Sequence, residues 1–122
     1  MKKSYSYTPT IGLPVVWSDN VLGGLACTDG KKVYVSDLFL DMPNFMKEFI
    51  LLHEEGHVVN RHFERRFYAF FAEFLLQEME KEADQYAIEH IGRLKSFVSL
   101  CYLTGVCTNK EQMAERTISV FS

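Results

Sequence analysis

FMKEFILLHEEGHVVN, Phe45 to Asn60, joins an H-E-x-x-H sequence at His53, Glu54 and His57 to the apolar spacing of a helix. Phe45, Phe49, Leu52, Gly56 and Val59 recur at intervals of three and four and form a stripe beside the histidines. Residues four apart on a helix lie on one face about a turn apart, so two imidazoles at that spacing can reach one metal ion. Glu54 follows the first histidine and points to the flank of that face, within reach of a water on the ion. The segment therefore offers two ligands and a base, the donor pattern of a zinc site. Asp41 or Asn44 can cap the start of the helix, with Pro43 tolerated in its first turn.

A catalytic zinc usually takes three protein ligands and keeps the fourth position for water. The candidate source of the third is Glu80-Lys81-Glu82-Ala83-Asp84-Gln85-Tyr86-Ala87, also helical in pattern. Glu80 and Asp84 share a face, and Ala83 and Ala87 share a neighbouring one where small side chains let two helices approach closely. His53-Glu54-x-x-His57 followed by Glu80-x-x-x-Asp84 resembles the gluzincin metallopeptidases, in the manner of the CAAX-prenyl-protease type and the ImmA/IrrE-like peptidases. The stretch Ala26 to Ser36, before a short linker, is similar to the edge hairpin of those families, so the likeness covers roughly Ala26 to Ala87. The resemblance implies Glu80 as the third ligand of one Zn2+ per chain. It also implies Asp84 as the group that orients a histidine, His53 for preference, by fixing its tautomer.

The 122 residues and 14.1 kDa suit one domain, 1–122, around one core. A formal charge of -3 with scattered Lys and Arg argues against a nucleic-acid surface. Glu78, Glu80, Glu82 and Asp84 are crowded, with only Lys81 as a cation among them; such a run is ordinarily a solvated face, and the upstream histidine pair is what favours a cation. No apolar stretch of signal-peptide length follows Met1 to Tyr7. Cys27, Cys101 and Cys107 are odd in number and form no C-x-x-C pair, which fits reduced thiols and a cytoplasmic location.

Pro9, Gly12 and Pro14 punctuate Tyr5 to Trp17, an edge strand or extended arm. Leu25 to Val35 reads as a hairpin turning at Asp29-Gly30, with Val33 and Val35 on one side. In gluzincins an edge strand lies along the cleft and pairs with extended peptide, which implies a substrate-binding rim at Gly24, Leu25, Ala26, Cys27 and Thr28; a plain core hairpin is the other reading. Five of the ten phenylalanines lie between Phe63 and Phe74, a run too short and too interrupted to span a bilayer. An unbroken helix from Glu64 to Ile91 would be about 42 Å long, against a radius of gyration of about 14 Å for a domain of this size. A break near Gln77 or a projecting aromatic half resolves the mismatch, the latter with a homodimer or partner protein covering Phe63 to Phe74. Gly92 ends the helix, Leu94 to Leu103 forms another that Gly105 breaks, and Thr108 to Glu111 resembles a capping box for a last one.

The expected fold is α+β: a small antiparallel sheet from the first 36 residues or so, packed on the H-E-x-x-H helix and the glutamate helix, with C-terminal helices closing the core. The resemblance implies a zinc metalloendopeptidase in which Glu54 activates a zinc-bound water, acting on a restricted protein or peptide substrate without membrane insertion. Tyr86, His90, Tyr102 and His62 are the residue types available to stabilise an oxyanion, and the sequence selects none of them. The rival readings are a zinc-stabilised, non-catalytic binding module, for which Glu54 has no use, and a latent peptidase blocked by the residues after Gly105.

Overall fold

Three short apolar stretches form the sheet: β1, Val15–Trp17; β2, Ala26–Thr28; and β3, Val33–Val35. They belong to a computed structural model that describes residues 5–19, 21, 25–60, 73–106, 114, 116–118 and 120. Asp29-Gly30 turns β2 into β3 as the sequence suggests. Gly30 takes a φ of 92°, and the Asp29 carboxylate accepts the Lys31 and Lys32 amides at 2.8 and 2.9 Å. The Tyr5 to Trp17 arm doubles back through Gly12, at φ 69°, with Tyr7 bridging Pro14 before β1 begins. Among the described residues the strand order is β1-β3-β2, with β1 parallel and β2 antiparallel to β3. The sheet is thus mixed rather than wholly antiparallel. The end of β1 and the start of β2 both pair at Val35, on opposite sides of β3.

Among the described residues four helices are delimited: α1, Asp37–Leu40; α2, Asn44–Val59; α3, Glu73–Ile91; and α4, Arg93–Val106. Pro43 itself stands at the N-cap of α2, and its carbonyl accepts the Met46 and Lys47 amides, both at 3.0 Å. No side chain caps this end, so neither Asp41 nor Asn44 fills that role; Asp41 closes α1 instead. The α2 helix is enclosed by the sheet, α3 and α4, and every residue from Phe49 to His57 is buried. Its apolar stripe is therefore only part of its buried surface, and Val59, expected in that stripe, is exposed.

Val33 and Val35 of β3, Phe39 of α1, Met46, Phe49, Leu51 and Leu52 of α2, Ala87 of α3, and Leu100 and Leu103 of α4 share one core with Val120. The α3 helix runs without a break through Gln77, and Gly92, at φ 90°, ends it with its amide donating to the Ile88 carbonyl at 2.8 Å. Gly105 does not break α4, which reaches Val106; a glycine one residue from a helix end removes little hydrogen bonding. Residues 63–72 of the aromatic run and the Thr108 to Glu111 box lie outside the described residues. Among the described residues no helix is long and apolar enough to cross a membrane.

The α2 and α3 helices meet backbone to backbone at Gly56. A Cβ there would lie 2.8 Å from the Ala83 Cα, 2.9 Å from the Ala83 carbonyl oxygen and 3.0 Å from the Tyr86 Cβ. Gly56→Ala should therefore lower stability by on the order of 1–3 kcal/mol, despite the better helix propensity of alanine. Urea unfolding measures this; a midpoint equal to or above the parent's would show that the two helices can separate freely.

Candidate metal centre

The close approach at Gly56 sets the spacing of the polar groups on either side. His53 and His57 stand one turn apart on α2, and Glu80 and Asp84 stand one turn apart on the facing side of α3. The His53 and His57 rings meet edge to face, with centroids 4.7 Å apart and Nε2 atoms 3.1 Å apart. The Glu80 carboxylate closes the triangle, Oε2 at 3.0 Å from His53 Nε2 and Oε1 at 3.3 Å from His57 Nε2. These donor atoms all lie within 4.8 Å of one another, and the group could hold a metal ion. Glu80, expected as the third member, is brought to the histidines by this packing.

Asp84 sits behind His53. Its Oδ1 is 2.8 Å from Nδ1, the ring nitrogen turned away from the cluster. A carboxylate there favours the proton on Nδ1 and leaves the Nε2 lone pair for an ion. Arg116 holds the other side of Asp84, with Nε 2.7 Å from Oδ2 and Nη2 2.7 Å from Oδ1. Its Nη1 lies 3.8 Å from Glu80 Oε2.

The ionisation of these groups follows from their contacts. Burial opposes a charge on His53, but the adjacent Glu80 carboxylate and the bond to Asp84 outweigh it and raise its pKa from 6.5 to about 10. Burial likewise favours the neutral acid at Glu80, and His53 and then His57 reverse this, holding it below the usual carboxylate range. At Asp84 burial is overcome by the hydrogen bonds from Arg116 and His53, and its pKa is also lowered. Without metal, a proton on His53 thus binds the cluster together.

Glu54 and Glu55 are adjacent on α2, and both are buried. Glu55 is fully buried and accepts the Thr10 and Ile11 amides through Oε2, at 3.0 and 2.8 Å, and the Tyr86 hydroxyl through Oε1 at 3.3 Å. It fastens the tip of the N-terminal arm to α2. Sequence reasoning missed this role and that of Arg116. The signal for Glu55 was available, since a helix apolar on all sides from Phe49 to Leu52 leaves its next turn no solvent face. Arg116, 32 residues from Asp84, carries no local signal.

Leu25 to Thr28 fall on or beside β2, an edge of the sheet among the described residues, and β2 packs against α2. Gly24, expected in the same rim, lies outside the described residues. Of the residues offered for oxyanion stabilisation, Tyr86 bonds Glu55, and its ring lies 4.3 Å from that of His90, whose Nδ1 bonds the Tyr86 carbonyl. Tyr102 is exposed on α4, and His62 is outside the described residues. Comparison with protein families, with curated proteins and with solved structures returns no match to this chain.

The His53 pKa rises from 6.5 to about 10 on folding. Its contribution to the stability of the metal-free chain is complete below pH 6.5 and is lost as the pH climbs through about 10. The lowered pKa values of Glu80 and Asp84 act in the opposite sense, stabilising above the ordinary carboxylate range and failing as acid protonates them. Melting temperatures of the metal-free chain should fall between pH 7 and 10, and fall less in His53→Gln. Equal slopes for the two proteins would contradict the assignment.

Proposed function

We propose that this chain is a zinc metallopeptidase of the gluzincin type, similar to the ImmA/IrrE-like and CAAX-prenyl-protease-type enzymes. His53, His57 and Glu80 hold one zinc ion, and Glu54 is the general base. The observation that carries this reading is the convergence of two imidazole Nε2 atoms and one carboxylate at 3.0–3.3 Å. Donors about 2.0–2.1 Å from a tetrahedral ion stand roughly 3.3 Å from one another, so the cluster accepts zinc with little rearrangement. A donor set of two histidines and one glutamate is also that of catalytic zinc sites, which keep a position for water.

Zinc in such a set makes a water acidic near neutral pH and polarises a carbonyl. The residues of the chain perform the rest. Glu54, next to the first ligand and screened from bulk solvent, accepts the proton of the attacking water and returns it to the departing amine. Asp84 keeps His53 in the tautomer that presents Nε2. The β2 edge, Ala26–Thr28 with Leu25 before it, takes an extended peptide by strand addition, which aligns a scissile bond along α2. The substrate is a protein or peptide, and a restricted one, as the likeness to the ImmA/IrrE-like peptidases suggests.

Purified parent chain should contain one zinc per molecule and cleave an unstructured protein. Glu54→Gln should retain the zinc and lose cleavage by about 10²–10⁴-fold, the range of general-base catalysis. Glu80→Ala should lose or weaken the metal. Zinc in the parent without cleavage would leave two readings, the binding module and a latent or highly selective peptidase, and a parent with no affinity for zinc would end the zinc reading.

A further inference from the structure

Arg116 makes a two-bonded contact with Asp84, 32 residues away in the chain. Its guanidinium grips both oxygens of Asp84 at 2.7 Å, and the Arg116 side chain is itself only 12% exposed. Two bonds from one planar fork fix the plane of a carboxylate, which a single bond does not. Asp84 Oδ1 serves Arg116 and His53 together, so the carboxylate plane and the imidazole are set by one arrangement. The segment that carries Arg116 is anchored separately. Residues 116–118 are helical, and Val120, 2% exposed, belongs to the same core as Phe49, Leu52 and Ala87.

We propose that Arg116 is a positioning residue of the metal centre, which orients Asp84 and through it His53, so that metal affinity depends on the docking of residues 116–118 and 120. The proposal rests on the zinc reading given above and adds a requirement to it. The fork reaches Asp84, which meets His53 at Nδ1, the nitrogen away from the donor triangle. Docking of this segment therefore supports the centre. That is the reverse of a latent enzyme, in which displacing the segment would improve the site.

The test is a double-mutant cycle on the full chain, stripped of metal and titrated with Zn2+ against a chromogenic chelator. The proteins are the parent, Arg116→Lys, Asp84→Asn and their double variant, with Arg116→Ala as the more severe change. Lysine keeps the charge and the aliphatic stem but not the fork, so Arg116→Lys is expected to melt cooperatively and still to bind zinc more weakly. Asp84→Asn and Arg116→Ala should each weaken zinc binding by roughly 10–100-fold, the effect of losing a partner behind a ligand. The double variant should be no weaker than the weaker single, within about a factor of two, because both act through one carboxylate. A purely structural role would instead give losses that multiply. Multiplying losses, or folded Arg116 variants that bind zinc as the parent does, overturn the proposal and leave the zinc reading standing. A parent that binds no zinc overturns both.

Discussion

The absence of a side chain at Gly56 is the constraint on which the metal centre depends. With Ala83 opposite, it lets the α2 and α3 backbones touch, and the histidines of one helix then face the acids of the other. Because each helix repeats its functional residues at four, the match is made twice. His53 meets Glu80 through Nε2 and Asp84 through Nδ1, so one imidazole spans a full turn of α3. A wider helix separation would break both contacts together.

This cluster is a poor device for stability alone. Burying two imidazoles and two carboxylates carries a desolvation penalty that their mutual attraction only partly offsets, and apolar residues of similar volume would hold two helices together as well or better. The neighbouring core achieves its packing with Phe49, Leu52 and Ala87. The polar island beside it brings two imidazoles and two carboxylates into contact, a group that could hold a metal ion. Asp84 extends the island to the Nδ1 side of His53, away from the donor triangle, and Arg116 bridges from Asp84 back towards Glu80.

Much of this was legible in the sequence because it lies in local periodicity. The histidine pair, Glu80 with Asp84, the small residues Ala83 and Ala87, the Asp29-Gly30 turn and the Gly92 stop are all patterns within one element or one turn. What was not legible depends on how elements meet. The parallel pairing of β1 with β3, which sets β1 and β2 on opposite sides of Val35, is encoded by no local motif. Val59 follows the helical stripe yet faces solvent, beside a pocket that it lines with Asn60 and with Glu82, Tyr86 and Glu89 of α3. Arg116 finds Asp84 only when the core draws Val120 inward.

The enclosure of α2 also governs how an ion would come and go. Every residue from Phe49 to His57 is buried, and the side chains of His53 and His57 are only 10% and 9% exposed. Glu80 is different, with 31% of its side chain exposed. Solution thus reaches the three donors unequally, with the carboxylate on the open side of the cluster and the imidazoles on its sheltered side. An ion held there would meet water and incoming ligands first across Glu80.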